Sequence, residues 1–498
     1  MKFLLGYDIG SSSVKCALLD AETGICMASA FSPEQEMAMI SVQPGWAEQD
    51  PEQWWSELIL STRKLRAKWN FDSEDLVAIG ISYQMHGLVC LDLQGHPLRP
   101  AIIWCDSRAV ETGRKAREAL GAEFCLNHYL NAPGNFTASK LAWVKDHEPD
   151  IFQKVHKVLL PGDYIAYKMT GEICTTVSGL SEGIFWDFSS RSLAGDLLDY
   201  YGIREELLPS VKPTFSIQGE LSESVAGLLG LKKGTPVSYR AGDQPNNAFS
   251  LFVLQPGEVA ATAGTSGVIY GVTDRPCPDL RSRVNAFVHV TDQPDRTRIG
   301  MLMCINGCGI LYSWMRKISG GMGYGQMNRI ASDCPPGSDG LLCIPFGNGA
   351  ERILENKNPG ASLLGLDLNR HGQSQMLRAG QEGIGFAFRY GLDILGGIGM
   401  QATRIRAGHS NLFLSPVFRE IFVHVTGVPL ELYDTDGAAG AARGAGVGAG
   451  YYATLGDGFQ GMRQMAVLEP SAALVARYEG IYEGWKEALN RQPETAYD

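Results

Sequence analysis

The chain lacks the cysteine patterns that mark zinc sites and disulfide-stabilised folds. Its 498 residues include eleven cysteines, but these are scattered and contain no CxxC spacing, which argues against a structural zinc site. An odd number of dispersed cysteines indicates a reducing compartment, where most act as small buried hydrophobic residues. Because the opening apolar run reaches Asp8 too early for a signal peptide, we expect a cytoplasmic protein.

Basic residues and long apolar runs are also scarce. Lysine and arginine total 43 against 54 aspartates and glutamates, a net charge of −11, which argues against a nucleic-acid partner. The longest run without charge, Ile299 to Met315, has 17 residues and contains Asn306 and several glycines. It therefore predicts a buried core element rather than a membrane span, and we expect no membrane partner.

A Walker-type phosphate loop is absent, since no GxxxxGK[ST] occurs. The chain opens instead with strand, tight turn and strand, and the segment 8–20 (DIGSSSVKCALLD) aligns without a gap with 262–274 (TAGTSGVIYGVTD). Either two glycine turns are alike by chance, or each half of the chain carries the same hairpin. The second interpretation predicts an α/β protein of two related domains, 1–243 and 244–498.

Both hairpin loops combine glycine with hydroxyl side chains. Backbone N–H groups and hydroxyls in such a turn form a concave donor array that binds anions, including phosphate. Two of them, one per domain, would bind a polyphosphate from both sides, although each alone is also typical of an ordinary β-turn. Asp8 precedes the first loop, and one carboxylate beside phosphates suits Mg²⁺.

Two further segments place polar groups at predicted strand ends. Asp243 follows Gly242 near the domain boundary and could accept a proton from a substrate hydroxyl, or simply cap a turn. Gln84, Met85 and His86 interrupt two apolar strands and resemble ligands for sugar hydroxyls, although a lone histidine is more often structural.

Three more features allow both a functional and a structural interpretation. Trp104 could face a sugar ring, while Asp106 could bind it or form a structural salt bridge with Arg108. Gly408, in the run 406–411, could let an adenine approach the backbone, or lie in a plain loop. The glycine- and alanine-rich segment 436–452 predicts a tightly packed helix facing another backbone, rather than a flexible linker.

Taken in order, these motifs resemble the FGGY carbohydrate kinases, and within them the xylulokinases. The resemblance runs from Gly6 to about Tyr452 and rests on motifs that are weak singly and specific together. They are DIGSSSVK, GWAEQDPEQWW (45–55), QMHG (84–87), KLAW (140–143), LLPGDYIAYKMTGE (159–172), GDQ (242–244) and AGTSG (263–267).

The resemblance implies an actin-like ATPase architecture: two ribonuclease-H-like domains with the active site in the cleft between them. It implies ATP-dependent transfer of the γ-phosphate to the C5 hydroxyl of D-xylulose, with sugar bound by the N-terminal domain and nucleotide by the C-terminal domain. Family members are often dimers, so a homodimer is expected.

The same resemblance assigns roles residue by residue. Asp243 would be the catalytic base, and Asp8 would assist catalysis and place Mg²⁺. The resemblance assigns the sugar contacts to Met85 and His86; together with the candidates identified above, the expected sugar-binding set is Gln84, Met85, His86, Trp104, Asp106 and Gln244. The set that binds ATP would be Ser11, Ser12, Ser13, Lys15, Gly264, Thr265, Gly309, Gly408 and Asn411.

The chain departs from the family pattern at three places. Gln244 stands where xylulokinases commonly have asparagine, as in glycerol kinases; the GGG-type adenosine motif is reduced to Ala407-Gly408; and the GERTP-like motif reads AERIL (350–354). A kinase for D-ribulose or glycerol, a catalytically silent sugar-responsive regulator, and a polymerising or chaperone-like actin relative are therefore the alternatives.

Overall fold

The computed structural model describes residues 1–493, so the last five residues of the predicted second domain lie outside it. The strands are β1 Phe3–Ile9, β2 Val14–Asp20, β3 Cys26–Ser32, β4 Glu48–Gln49, β5 Leu76–Tyr83, β6 Val89–Leu91, β7 Ala101–Ile102, β8 Lys157–Leu159, β9 Cys174–Thr175, β10 Trp186–Asp187, β11 Ser192–Leu193, β12 Ser210–Val211, β13 Phe215–Glu220, β14 Pro236–Gly242, β15 Glu258–Ala263, β16 Gly267–Thr273, β17 Asn285–Val288, β18 Ile299–Ile305, β19 Leu342–Phe346, β20 Gly360–Leu364, β21 Arg404–Gly408, β22 Leu430–Asp434 and β23 Arg463–Leu468.

The helices are α1 Pro51–Lys68, α2 Val110–Leu120, α3 Ala122–Tyr129, α4 Thr137–His147, α5 Pro149–Phe152, α6 Pro161–Thr170, α7 Val177–Glu182, α8 Gly195–Tyr201, α9 Glu223–Leu229, α10 Asp243–Ser250, α11 Gly309–Ile318, α12 Tyr324–Ser332, α13 Gln373–Gly397, α14 Pro416–Thr426, α15 Gly437–Gly448 and α16 Ala472–Asn490. Within the described residues, no helix has the length and apolar character needed to cross a membrane.

The chain folds into two compact units that are discontinuous in sequence. The first comprises Met1–Phe252, Phe287–Arg298 and Thr435–Met462, and the second comprises Val253–Ala286, Ile299–Asp434 and the chain from Arg463 onward. A single boundary after residue 243 does not describe this division. Residues 244–252 and the segment 435–462, both assigned to the second domain from sequence, belong to the first unit, where α15 packs on β1, β5 and β14.

The first unit is built on a six-stranded sheet of order β13-β14-β5-β1-β2-β3. β1 runs antiparallel to β2, β2 antiparallel to β3, and β1 parallel to β5, which is in turn parallel to β14. Helix α1 begins with Pro51 after Asp50, whose side chain accepts a hydrogen bond from the Glu52 N–H. Its buried face, which includes Trp54, belongs to the hydrophobic core of this unit.

The second unit repeats this topology. Six strands of its seven-stranded sheet follow one another in the order β18-β16-β15-β21-β22-β23. β15 is antiparallel to β16, β16 antiparallel to β18, and β15 parallel to β21, which is parallel to β22. The hairpins β1–β2 and β15–β16 therefore hold the same position in the two sheets, which confirms the hairpins predicted from the internal repeat.

Helix α15 confirms the prediction of a tightly packed small-residue helix. Gly6 of β1 and Gly80 of β5 are direct partners across parallel strands. A Cβ at Gly6 would lie 1.9 Å from the Ala438 carbonyl oxygen, and one at Gly80 would lie 2.0 Å from the Ala441 carbonyl oxygen. Only glycine allows the helix backbone to approach the sheet this closely, and the contact carries the start of α15 to the end of β1.

Candidate active site

The first hairpin loop, residues 10–13, is held by its backbone. The Gly10 N–H donates to the Ser13 carbonyl over 3.1 Å. The Ser11 carbonyl accepts from the Gln49 side-chain amide at 2.7 Å. The Ser12 carbonyl accepts from the Met37 N–H at 2.9 Å. These bonds engage the loop carbonyls, while the serine side chains are partly or fully exposed, as the predicted phosphate contacts require.

Asp8 lies at the end of β1, directly before this loop. The Ser82 hydroxyl donates to Asp8 Oδ1 over 2.9 Å, and the exposed Lys15 is its partner across the hairpin. Burial raises the pKa of Asp8, and the charge of Asp436 adds to the rise, while Lys15 and the Ser82 hydrogen bond oppose it. The carboxylate is thus desolvated, and Lys15 supplies a positive charge that partly offsets the cost.

Asp243 is the first residue of α10 and follows β14, the neighbour of β5 in the sheet. Burial raises the pKa of Asp243 to about 7, and the charge of Asp8 contributes to the rise, while hydrogen bonds from Gln244 oppose it. A carboxylate with a pKa near neutrality is suited to accept a proton from a hydroxyl. Parallel strands thus bring together two carboxylates that are 235 positions apart in the printed sequence.

Such a carboxylate pair also fits Mg²⁺, which is usually held by one or two carboxylates and otherwise by water and phosphate. The mutual repulsion of Asp8 and Asp243 is the feature that a divalent cation would relieve. Across residues 1–493, no group of three or more histidine, cysteine, aspartate or glutamate side chains is arranged to hold a metal ion.

The Met85–His86 turn follows β5, the strand between β1 and β14. Met85 is buried, and His86 is half-buried and adopts a left-handed backbone conformation with φ of 61°. The His86 Nδ1 lies 2.8 Å from the Glu182 carbonyl oxygen. Its ring packs edge-on against Phe136, with ring centroids 5.0 Å apart. The predicted sugar-binding turn is therefore rigidly held, close in the fold to the strand ends that carry Asp8 and Asp243.

Lys140, from the KLAW motif, supports the Met85–His86 turn through hydrogen bonds to backbone carbonyls. Its ammonium group donates to the carbonyl oxygens of His86, at 2.8 Å, and Ile103, at 2.9 Å. Burial lowers the pKa of Lys140 to about 7, while the charge of Asp106 opposes the shift. The motif thus serves to fix the backbone around the turn.

Three other predicted sugar ligands are hydrogen-bonded to side chains of the protein. Gln84 is buried, and its amide donates to Gln49 over 3.3 Å. Asp106 is fully buried and accepts from the Arg108 side chain, which favours the structural interpretation of that pair. Trp104 is 53% exposed, and its indole N–H donates to the Ser11 hydroxyl over 3.3 Å, which places it beside the first hairpin loop.

The second unit contains a cavity of about 490 Å³ beside its own hairpin loop. Predicted ATP ligands among its lining residues are Gly264, Thr265, Gly309 and Asn411. The Gly309 and Ile310 N–H groups, at the start of α11, donate to the Gly264 and Thr265 carbonyls at 2.8 and 3.1 Å. Those two hydrogen bonds join the hairpin loop to the start of α11, and residues of both line the cavity.

Aromatic residues that the sequence analysis missed form one wall of this cavity. Tyr312 and Tyr324 stack with ring centroids 5.9 Å apart, and the Tyr312 hydroxyl donates to Asn328 Oδ1 over 2.9 Å. An apolar and aromatic cavity with a few polar groups is typical of sites for small molecules and cofactors. Gly408, at the end of β21, is not among the lining residues, so its predicted contact with adenine gains no support.

Residues 3–250 match the N-terminal domain of the FGGY family of carbohydrate kinases, and residues 259–452 match its C-terminal domain. The chain is 29% identical to xylulose kinase of Escherichia coli (strain K12) over 444 residues, 89% of this chain and 88% of that protein. It is 28% identical to xylulose kinase of Bacillus subtilis (strain 168) over 496 residues, 98% and 96% of the two chains.

Among solved structures, the crystal structure of xylulose kinase from Rhodospirillum rubrum matches with a TM-score of 0.88 and 26% identity, over 98% of both chains. Together with the two sheets of the same strand order, this likeness confirms the predicted architecture of two ribonuclease-H-like, actin-like units.

Proposed function

The chain belongs to the FGGY family of carbohydrate kinases and is an ATP-dependent carbohydrate kinase, and we propose that it phosphorylates the C5 hydroxyl of D-xylulose. The relatives in Escherichia coli and Bacillus subtilis named xylulose kinase support this choice of substrate. The products are D-xylulose 5-phosphate and ADP.

The observation that carries the proposed mechanism is the position and environment of Asp243. Its carboxylate begins a helix beside the strand end that holds Asp8, and its pKa is raised to about 7. In the proposed step, Asp243 accepts the proton of the C5 hydroxyl as that oxygen attacks the γ-phosphorus. The bond from the γ-phosphorus to the β–γ bridging oxygen breaks, and ADP leaves with its electron pair.

Phosphate binding is assigned to the two hairpin loops, each through its own groups. Ser11, Ser12 and Ser13 would contact phosphate oxygens from the first loop, Lys15 from β2, and Gly264 and Thr265 from the second loop. Asp8 would hold Mg²⁺, which when bound neutralises charge that develops on the phosphate oxygens. Catalysis then consists mainly of positioning and electrostatic stabilisation.

Sugar binding is assigned to the Met85–His86 turn, with Trp104 and Gln244 as further candidate ligands. Met85 supplies an adaptable apolar wall, and the His86 imidazole donates to or accepts from a sugar hydroxyl. A site that hydrogen-bonds particular hydroxyls rejects analogues that leave those groups unpaired. The adenine is assigned to the cavity lined by Gly309, Tyr312 and Asn411.

Steady-state kinetics with a panel of ketoses and polyols tests the proposal. We expect kcat/KM for D-xylulose to exceed that for D-ribulose and for glycerol by at least ~10-fold each. A higher value for D-ribulose or glycerol would refute the substrate and leave the kinase activity standing. His86→Ala is expected to raise the KM for the sugar far more than the KM for ATP; equal effects on both would make His86 a structural residue.

A further inference from the structure

A buried carboxylate outside the sequence motifs lies between the two turns that the proposed reaction uses. Glu182 is the last residue of α7 and is 1% exposed. Its Oε1 accepts from the His86 N–H over 3.4 Å, and its backbone carbonyl contacts the His86 Nδ1 at 2.8 Å. Two separate atoms of Glu182 therefore hold the one histidine of the proposed sugar site.

The other carboxylate oxygen of Glu182 points toward the catalytic turn. A Cβ on Gly242 would lie 2.3 Å from Glu182 Oε2 and 2.6 Å from the Met85 side chain. Gly242 directly precedes Asp243, so the Glu182 carboxylate occupies the space between the sugar turn and the backbone that presents the proposed base. No larger residue than glycine fits at position 242 while Glu182 stays in place.

Helix α7 also holds the aromatic neighbour of His86. The Ser178 hydroxyl donates to the Val288 carbonyl, and the Val288 N–H donates to the Ser181 hydroxyl, both over 2.9 Å. These bonds fix the chain next to Phe287, whose ring centroid lies 5.4 Å from that of His86. One short helix thus supports His86 through both its backbone and its ring partner.

We infer that Glu182 is a positioning residue for sugar binding, which holds the His86 turn at its required place beside the Gly242–Asp243 turn. His86 needs such support because a non-glycine residue at positive φ persists only where its surroundings impose that conformation. Displacing the imidazole weakens its hydrogen bond to the sugar without altering groups assigned to ATP. The inference deepens the proposed function and depends on it.

Two substitutions separate the reach of the side chain from its carboxyl group. Glu182→Gln keeps the length and one acceptor oxygen for the His86 N–H but replaces the carboxyl with an amide. Glu182→Asp keeps the carboxyl but shortens the side chain by one methylene. If Glu182 acts by position, Glu182→Asp should raise the KM for D-xylulose by at least ~10-fold with less than ~2-fold change in the KM for ATP, and Glu182→Gln should stay within ~3-fold of wild type for both.

Asp187→Asn is the matched control. Asp187 is also a buried carboxylate and follows Glu182 closely in the chain, but it pairs with His128. It should leave the sugar KM unchanged, with folding of every variant checked by thermal melting. The inference would be overturned if Glu182→Gln raised the KM for D-xylulose while Glu182→Asp did not. It would also be overturned if either variant raised the KM for D-xylulose and the KM for ATP equally. If wild type prefers another sugar of the panel, the proposed substrate fails, and the same comparison made with that sugar still decides the role of Glu182.

Discussion

Gly309 donates its backbone N–H to the carbonyl oxygen of Gly264 over 2.8 Å. This hydrogen bond joins the first turn of α11 to the loop of the second hairpin, and both residues line the same cavity. A Cβ on Gly309 would lie 2.4 Å from the Gly264 oxygen, a distance that backbone atoms can relieve only by moving apart. The proposed adenosine and phosphate contacts of this unit thus depend on one glycine.

Gly309→Ala should therefore weaken ATP binding selectively. We expect the KM for ATP to rise by ~10-fold or more, because the loop must shift, while the KM for the sugar changes little. Gly325→Ala is the matched control: Gly325 lies in α12 of the same unit, and an added Cβ there meets nothing within 4 Å. Measured kinetics in which both variants behave alike would refute the link between Gly309 and the nucleotide.

The hydroxyl side chains of the two hairpins allow a second test. If each loop binds phosphate oxygens, Ser12→Ala and Thr265→Ala should each raise the KM for ATP more than the KM for D-xylulose, by several-fold, since each loses one donor to a charged group. Initial-rate measurements with one substrate varied at a time check this. An effect confined to the sugar KM would mean that the repeated hairpin is structural only.

The parts of the fold that sequence predicted are those encoded by local patterns. The hairpins around residues 10–13 and 264–266 combine apolar strands with a glycine turn, and α15 carries its small residues at helical spacing, so both are visible in a short window. The discontinuous units were not predicted, because nothing in the sequence near Thr435 shows that the next helix packs on a sheet whose strands lie between residues 3 and 242.

The residues of the candidate site also divide into those that lie in local sequence motifs and those that only tertiary packing brings to the site. The glycine next to Asp243 and the loop serines lie in recognisable motifs, whereas Glu182, Tyr312 and Tyr324 look like ordinary helix residues and gain their position only from tertiary packing. Gln84 and Asp106 were predicted to bind sugar because polar residues at strand ends often do. In the fold they are buried, where each is bonded to a neighbouring side chain.

The contact between α15 and the sheet predicts a large effect on stability. Gly80→Ala would place a methyl group 2.0 Å from the Ala441 carbonyl oxygen, so either the helix or the strand must move, at a cost of at least ~2 kcal/mol of unfolding free energy. Gly227→Ala, in the exposed part of α9, meets nothing within 4 Å and should be neutral or stabilising by ~0.5–1 kcal/mol. Urea denaturation of the two variants compares them directly.

Asp243 should set the pH dependence of the reaction. Because the proposed base must be ionised and burial raises its pKa to about 7, kcat/KM for D-xylulose should fall about tenfold per pH unit below that value. Asp243→Asn should lower kcat by at least ~10²-fold at pH 8, and Asp8→Asn should shift the profile to lower pH, because the charge of Asp8 contributes to the raised pKa. A profile that is flat between pH 5 and 8 would remove Asp243 as the base.

Asp243 should also lower the free energy of unfolding at pH values where it is ionised. A carboxyl whose pKa is higher in the folded than in the unfolded chain binds its proton more tightly when folded, so its contribution to stability is full at low pH and is lost as pH rises through about 7. Asp243→Asn removes that loss and should raise the melting temperature at pH 8, by about 2 °C or more if ~1 kcal/mol is recovered. The gain should shrink toward pH 4, where wild-type Asp243 is already protonated in the folded chain. Scanning calorimetry at both pH values measures the difference, and a variant less stable than wild type at pH 8 would contradict a destabilising charge at this position.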